Sequence, residues 1–166
     1  MSDAQQEVLR QSLAWLAQGK GIWLCSIVAT YGSAPRPKGA LFATDGIHRS
    51  GSISGGCIED AFVDMLARGE HDAPLSLLDY GSHLAPDGSA FELPCGGRIR
   101  LLVERLEGDA ASADLDEWLT RLQGASPFVR EVLLEQGKRT YLDEETTDPS
   151  EQEEPGRLRL RSEERR

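Results

Sequence analysis

Cysteine is scarce in this chain of 166 residues: there are three, an odd number, and no CxxC pair joins any two of them. Such a set fits a reducing compartment better than a disulfide framework, and no Cys/His pair has the close spacing that zinc sites use. Long hydrophobic runs are also missing. Nothing approaches the roughly 20 apolar residues that cross a bilayer, and the polar start Met1-Ser2-Asp3-Ala4 lacks the charged-then-apolar layout of a secretion signal. Basic charge is in deficit. With 18 Lys and Arg against 28 Asp and Glu, the net charge is −10 and the pI about 4.8, which argues against nucleic acid and anionic membrane surfaces as partners. We therefore expect a cytoplasmic protein that holds any anion locally. The phosphate-loop pattern GxxxxGKS/T, the dinucleotide pattern GxGxxG, the hydrolase elbow GxSxG and the zinc-protease pattern HExxH are all absent.

The length and a hydrophobic content of 39% suit one domain with its own core. We place that domain at residues 1–142. From Asp143 to Arg166 there are nine acidic and five basic residues with only two leucines, so 143–166 is expected to be a charged, disordered tail.

Within the domain, Ser2 and Gln5 resemble a capping box ahead of the stripe Val8, Leu9, Leu13, Leu16, Ala17, which predicts a first helix ending at Gly19. Ile22 to Thr30 is a nearly continuous apolar run and predicts a strand covered on both faces, with Cys25 buried inside it. Leu41–Thr44 and Ile47–Ile53 flank Asp45-Gly46 as a hairpin. Ile58, Ala61, Phe62, Met65 and Leu66 then recur at helical spacing until Gly69, so a helix begins within a residue or two of Cys57. Leu75–Tyr80 and Ile99–Leu106 predict strands, joined by a loop containing His83, Asp87 and Glu92. Leu115, Trp118, Leu119 and Leu122 mark a third helix capped near Ser112, and Phe128–Glu135 with Lys138–Leu142 a last hairpin. This order lacks βαβ alternation and predicts an α+β fold with a mixed, mostly antiparallel sheet and about three helices.

Three glycine-rich stretches carry the candidate chemistry. Prolines stiffen the loop Tyr31 to Gly39, from which Arg36 and Lys38 project. Gly55-Gly56-Cys57 leads into the second helix, where the positive helix end favours an anion or a thiolate. The first-turn acids Glu59 and Asp60 would repel a phosphate, which favours a thiol-centred role there and leaves phosphate binding to Arg36, Lys38 and their loop. Cys95-Gly96-Gly97-Arg98 ends a long loop at the start of a strand. Arg98 and Arg100 are the next nearest basic residues, and with Arg36 and Lys38 they could share one phosphate. His48 and His71 read as surface histidines, and only His83, in the long loop, is a candidate for function.

In order and spacing, Gly32-Ser33-Ala34-Pro35-Arg36-Pro37-Lys38-Gly39-Ala40, Gly51-Ser52-Ile53-Ser54-Gly55-Gly56-Cys57-Ile58-Glu59 and Cys95-Gly96-Gly97-Arg98-Ile99-Arg100 resemble the signature blocks of the XdhC/CoxI family. The resemblance covers residues 8 to 106 well and the next hairpin loosely. It implies an accessory factor for xanthine dehydrogenase-type molybdenum hydroxylases, a chaperone rather than an enzyme. Such a protein binds molybdenum cofactor (molybdopterin) transiently, shields it during sulfuration and assists its insertion.

The motif positions carried over are Gly32, Ser33, Arg36, Gly39, Gly55, Gly56, Cys57, Glu59, Cys95, Gly96 and Gly97, and we add Lys38 and Arg98 as cofactor-binding residues. Cys57 would lie near the molybdenum, and with Glu59 it would carry any catalysis. The implied partners are the apo-hydroxylase, a cysteine desulfurase, a further copy of the chain in a homo-oligomer and a separate Rossmann-like subunit. Family members commonly continue into such a half, whereas this chain runs into Glu151-Gln152-Glu153-Glu154-Pro155, so the half is expected as a separate chain, as a part cut off or as dispensable. Two rival readings are a sulfur-transfer enzyme using Cys57 and the docking half of a split accessory factor.

Overall fold

The apolar run that opens the sheet becomes its middle strand. In the computed structural model, which describes residues 3–32, 36–80, 98–143 and 156–162 (for Cys57 the backbone only), β1 (Ile22–Tyr31) pairs antiparallel with β2 (Leu41–Thr44) on one side and β5 (Arg98–Leu106) on the other. Adding β3 (Arg49–Gly51) and β4 (Leu75–Tyr80) gives a five-stranded sheet in the order β3-β2-β1-β5-β4. Because side chains alternate across a strand, Ile22 and Leu24 face one way and Cys25 and Ile27 the other, and both sets are buried.

Helices cover those two faces. The stripes of α1 (Asp3–Ala17) and α3 (Gly108–Gln123) meet Ile22, Leu24, Leu41 and Ala43. Ile58 and Phe62 of α2 (Cys57–Ala67) meet Cys25, Ile27, Phe42 and Leu101. The third helix starts earlier than the Ser112 cap predicted, with Glu107 as its N-cap residue. Ala111 belongs to the same buried stripe as Leu115, Trp118 and Leu122, one turn ahead of the first large residue.

The final hairpin, β6 (Phe128–Leu133) and β7 (Lys138–Asp143), is joined by a strand that composition had assigned to a disordered tail. In that segment β8 (Arg157–Arg161) pairs antiparallel with β6, from Val129 opposite Arg161 to Leu133 opposite Arg157, giving the order β7-β6-β8. Its two leucines, Leu158 and Leu160, pack on Val28, Leu102 and Val132 of the two sheets. That contact supplies the apolar burial that a count of charges overlooks. Among the described residues the fold is α+β, with three helices and eight strands, and every strand pair is antiparallel. None of the helices is long and apolar enough to cross a membrane.

The second sheet also explains β5. Ile99, Leu101 and Val103 face the α2 core, and Leu102 and Glu104 on the opposite side are buried too. The hairpin expected over Ile47–Ile53 is short. The Asp45 carboxylate accepts the N–H groups of Ile47 and His48, which folds those residues into the turn and leaves Ile47 81% exposed.

Candidate functional site

The stiff loop after β1 and the end of β3 meet at a groove of about 560 Å³. Arg36, Lys38 and Gly39 line one wall, Gly51 and Ser52 another, and Arg161 and Ser162 from the end of β8 a third. The accessible lining is mostly apolar, with Ala4, Pro37, Ala40 and Leu41 contributing to it. Three lining residues are cationic, and no acidic residue is among the described lining, in a chain of net charge −10.

Local bonds set this geometry. The Gly39 N–H donates to Ile27 O at 2.9 Å and the Ile27 N–H to Ala40 O at 3.0 Å, so the loop returns to the strand it left. Gln5 of α1 donates its side-chain amide to Gly39 O. Gly51 has φ +85°, and a Cβ there would lie 2.2 Å from Leu41 O and 2.5 Å from a Val8 methyl. Only glycine lets the end of β3 pass so close to β2 and α1.

From Ser52 the chain runs into α2 through a closed network. The Glu59 carboxylate, in a residue only 4% exposed, accepts the Ser52 and Ser54 hydroxyls and the Ile53 and Ser54 N–H groups. Burial alone would raise the Glu59 carboxyl. The bonds from Ser54, Ile53, its own N–H and Ser52 outweigh burial and hold it below the usual carboxylate range. In turn Ser54 Oγ, two residues before the N-cap Gly56, accepts the Ile58 N–H at 3.0 Å and so serves an amide of the first turn of α2. The Gly55 and Gly56 N–H groups donate to the Ser52 and Ser54 hydroxyls. Loop side chains therefore serve the amides that an anion at this helix end would use. Asp60, by contrast, points outward to an ion pair with Arg49.

Of the predicted site residues, Arg36, Lys38 and Gly39 line the groove and Cys57 is the first residue of α2. Gly55 and Gly56, with φ +84° and +134°, lie in the turn between groove and helix but are not among the lining residues, and Gly32 follows β1 with φ +70°. Arg98 and Arg100 do not line the groove. The Arg98 guanidinium stacks on Tyr31 at 4.4 Å, and Arg100 donates to Asp79 at 2.9 Å. Ser33, His83, Asp87, Glu92, Cys95, Gly96 and Gly97 lie outside the described residues, as does the Cys57 side chain. Cys25 is fully buried, and burial, with Glu104 and Glu59 nearby, pushes its thiol far above the ordinary range. Among the described residues no group of three or more His, Cys, Asp and Glu could hold a metal ion.

His71 is not a plain surface residue: its ring stacks on Phe62 at 5.0 Å and its carbonyl accepts the Trp23 indole N–H. Burial, against the opposing charge of Glu70, depresses its pKa. Sequence reasoning also missed Arg161 and Ser162, although Arg157-Leu158-Arg159-Leu160-Arg161 has the period-two alternation of a half-buried strand.

A comparison with curated proteins finds no match. Among solved structures, a Bacillus halodurans protein described as a xanthine dehydrogenase superposes with a TM-score of 0.65 at 19% identity, covering 98% of this chain and 53% of that one. The chain thus spans about half the length of that structure and shares its fold. The model of the XdhC and CoxI family matches residues 15–81, a span holding the groove loop and the Gly55-Gly56-Cys57 turn but not Cys95 to Gly97. Over residues 15–81, the chain is similar to the XdhC and CoxI family.

Proposed function

We propose that this protein is an accessory factor for a xanthine dehydrogenase-type molybdenum hydroxylase, and that it binds molybdenum cofactor and hands it to the apo-enzyme. The observation that carries the reading is the groove itself. A motif loop of the family, Arg36 to Gly39, lines an apolar floor rimmed by cations and free of described acids.

That donor set fits the cofactor. A flat pterin would lie on the apolar floor, and its phosphate would be held by Arg36 and Lys38 through charge-assisted hydrogen bonds. When bound, the cofactor supplies the molybdenum centre and the terminal sulfur that the client hydroxylase needs. The chain's own part is to bind, orient and shield it. Cys57, at the first residue of α2, is the thiol assigned to the metal end. The protein's further partners would be the apo-hydroxylase and the desulfurase that provides sulfur.

The test is to mix the purified full chain with released molybdenum cofactor and assay the gel-filtered protein for pterin fluorescence and molybdenum. Both should co-elute with the wild type, and the double variant Arg36→Ala, Lys38→Ala should retain at least about tenfold less. Absence of pterin and metal from the wild-type peak would overturn the proposal.

A further inference from the structure

Strand β8 contributes to this groove, although it begins 76 residues beyond the end of the family match. Ser162 is locked to Phe128 in both directions, its N–H donating to Phe128 O and its Oγ accepting the Phe128 N–H, each at 2.9 Å. The register of β8 on β6 then places Arg161 opposite Val129, at the end of the strand where the groove opens. Arg161 adds a third positive charge to a rim already holding Arg36 and Lys38.

Beneath the groove lies a chamber of about 20 Å³, which shares Gln5, Gly39, Leu41, Arg161 and Ser162 with it. That volume admits one water or one ligand atom. Ser26 of β1 lines the chamber, is 1% exposed, and its Oγ has no hydrogen-bond partner among the described residues. Buried hydroxyls are nearly always paired, so this one marks a place where a polar atom belongs.

From these two observations we infer that β8 is a binding element: Arg161 is the third phosphate anchor, and Ser26 meets a polar atom at the inner end of the ligand. Three cations lining one groove match the charge of about −2 on a phosphomonoester better than a single carboxylate. The apolar floor and the inner hydroxyl fit a flat, polar-edged heterocycle. The groove therefore selects a heterocycle bearing a phosphomonoester, and the C-terminal strand does part of the selecting. This rests on the groove being the ligand site proposed above, but not on the ligand being molybdenum cofactor.

The experiment uses the full chain with flavin mononucleotide and riboflavin, which differ only in the phosphate, as fluorescent probes. Wild type should bind the phosphorylated probe at least about tenfold more tightly than riboflavin. Arg161→Ala should lower that ratio severalfold, with Arg36 and Lys38 keeping the remainder, and Arg161→Lys should restore part of the loss. Arg159→Ala is the control for loosening of β8, because Arg159 donates to Glu131 at 2.9 Å and does not line the groove. It should keep the wild-type ratio. Ser26→Ala should leave the melting temperature of the free protein unchanged or higher, since it removes an unpaired hydroxyl, while weakening both probes severalfold.

No preference for the phosphorylated probe in wild type, or a preference undiminished in Arg161→Ala, overturns the role of Arg161. Wild-type affinity in Ser26→Ala overturns that of Ser26. A protein that fails to retain molybdenum cofactor yet shows the Arg161-dependent preference would sink the proposed function and leave this inference standing.

Discussion

Arg130 and Glu104 form a bidentate ion pair between the two sheets, Nη1 to Oε2 at 3.1 Å and Nη2 to Oε1 at 2.9 Å, with neither side chain exposed. Asp114 of α3 accepts a further bond from Arg130 at 2.7 Å, Arg139 donates to Glu104 at 3.0 Å, and the Trp118 ring lies 4.3 Å from the guanidinium. Removing one partner strands a charge in the core, so Arg130→Met or Glu104→Leu alone should cost about 3–5 kcal/mol in urea unfolding. The double variant should cost less than the sum of the two. A strictly additive double-mutant cycle would contradict the coupling.

Gly51 and Gly55 separate steric crowding from backbone strain. Both have φ near +85°, but a Cβ on Gly51 would collide with Leu41 O while one on Gly55 would meet nothing within 4 Å. Gly55→Ala should therefore cost only about 1–2 kcal/mol, the price of a left-handed alanine. Gly51→Ala should cost clearly more, and denaturant midpoints measured side by side give the difference.

Acid should loosen the β2–β3 turn. Burial opposes ionisation of Asp45, but bonds from His48, Ile47 and Lys20 overcome it and hold the carboxyl well below the usual range. A depressed folded-state pKa gives stability that is complete above the unfolded value of about 3.9 and is lost as pH falls through the folded one. Melting temperature should drop below about pH 4, less steeply in Asp45→Asn and again less steeply in Glu59→Gln, since Glu59 is depressed in the same direction. An unchanged acid slope in both variants would rule this out.

Cys25 should be inert while the protein is folded. Its thiol is fully buried and its pKa is raised by burial and two nearby carboxylates, so little thiolate forms and no reagent reaches it. Alkylation followed by peptide mapping should label Cys25 only in denaturant. Prompt native labelling would show that β1 opens readily.

The parts of the fold that were legible in the sequence are those whose pattern is local. The stripe from Ile58 to Leu66 located the start of α2 to within a residue or two, and the apolar run from Ile22 announced a strand buried on both sides. Arg130 looks like an ordinary surface charge until β6 is laid against β5, because its partners are 26 and 16 residues away. Arg161 escaped notice for a related reason: the charge count of its segment outweighed the alternation of its leucines. At the site, motif residues 36–39 line the groove. The closing wall and the hydroxyl of Ser26 depend on tertiary approach, which spacing does not encode.

A strand that is apolar on both faces has a weak hold on its own alignment. Sliding β5 by one residue along β1 would exchange Leu101 and Leu102 at little hydrophobic cost. Glu104 breaks that near-degeneracy. It sits opposite Leu24, and turning it to the other face would push a carboxylate into the Phe42 and Phe62 core and leave Arg130 without its partner. The buried charge thus acts as an alignment key for the sheet, and the position of the loop that leaves β1 for the groove is set by an ion pair between the two sheets.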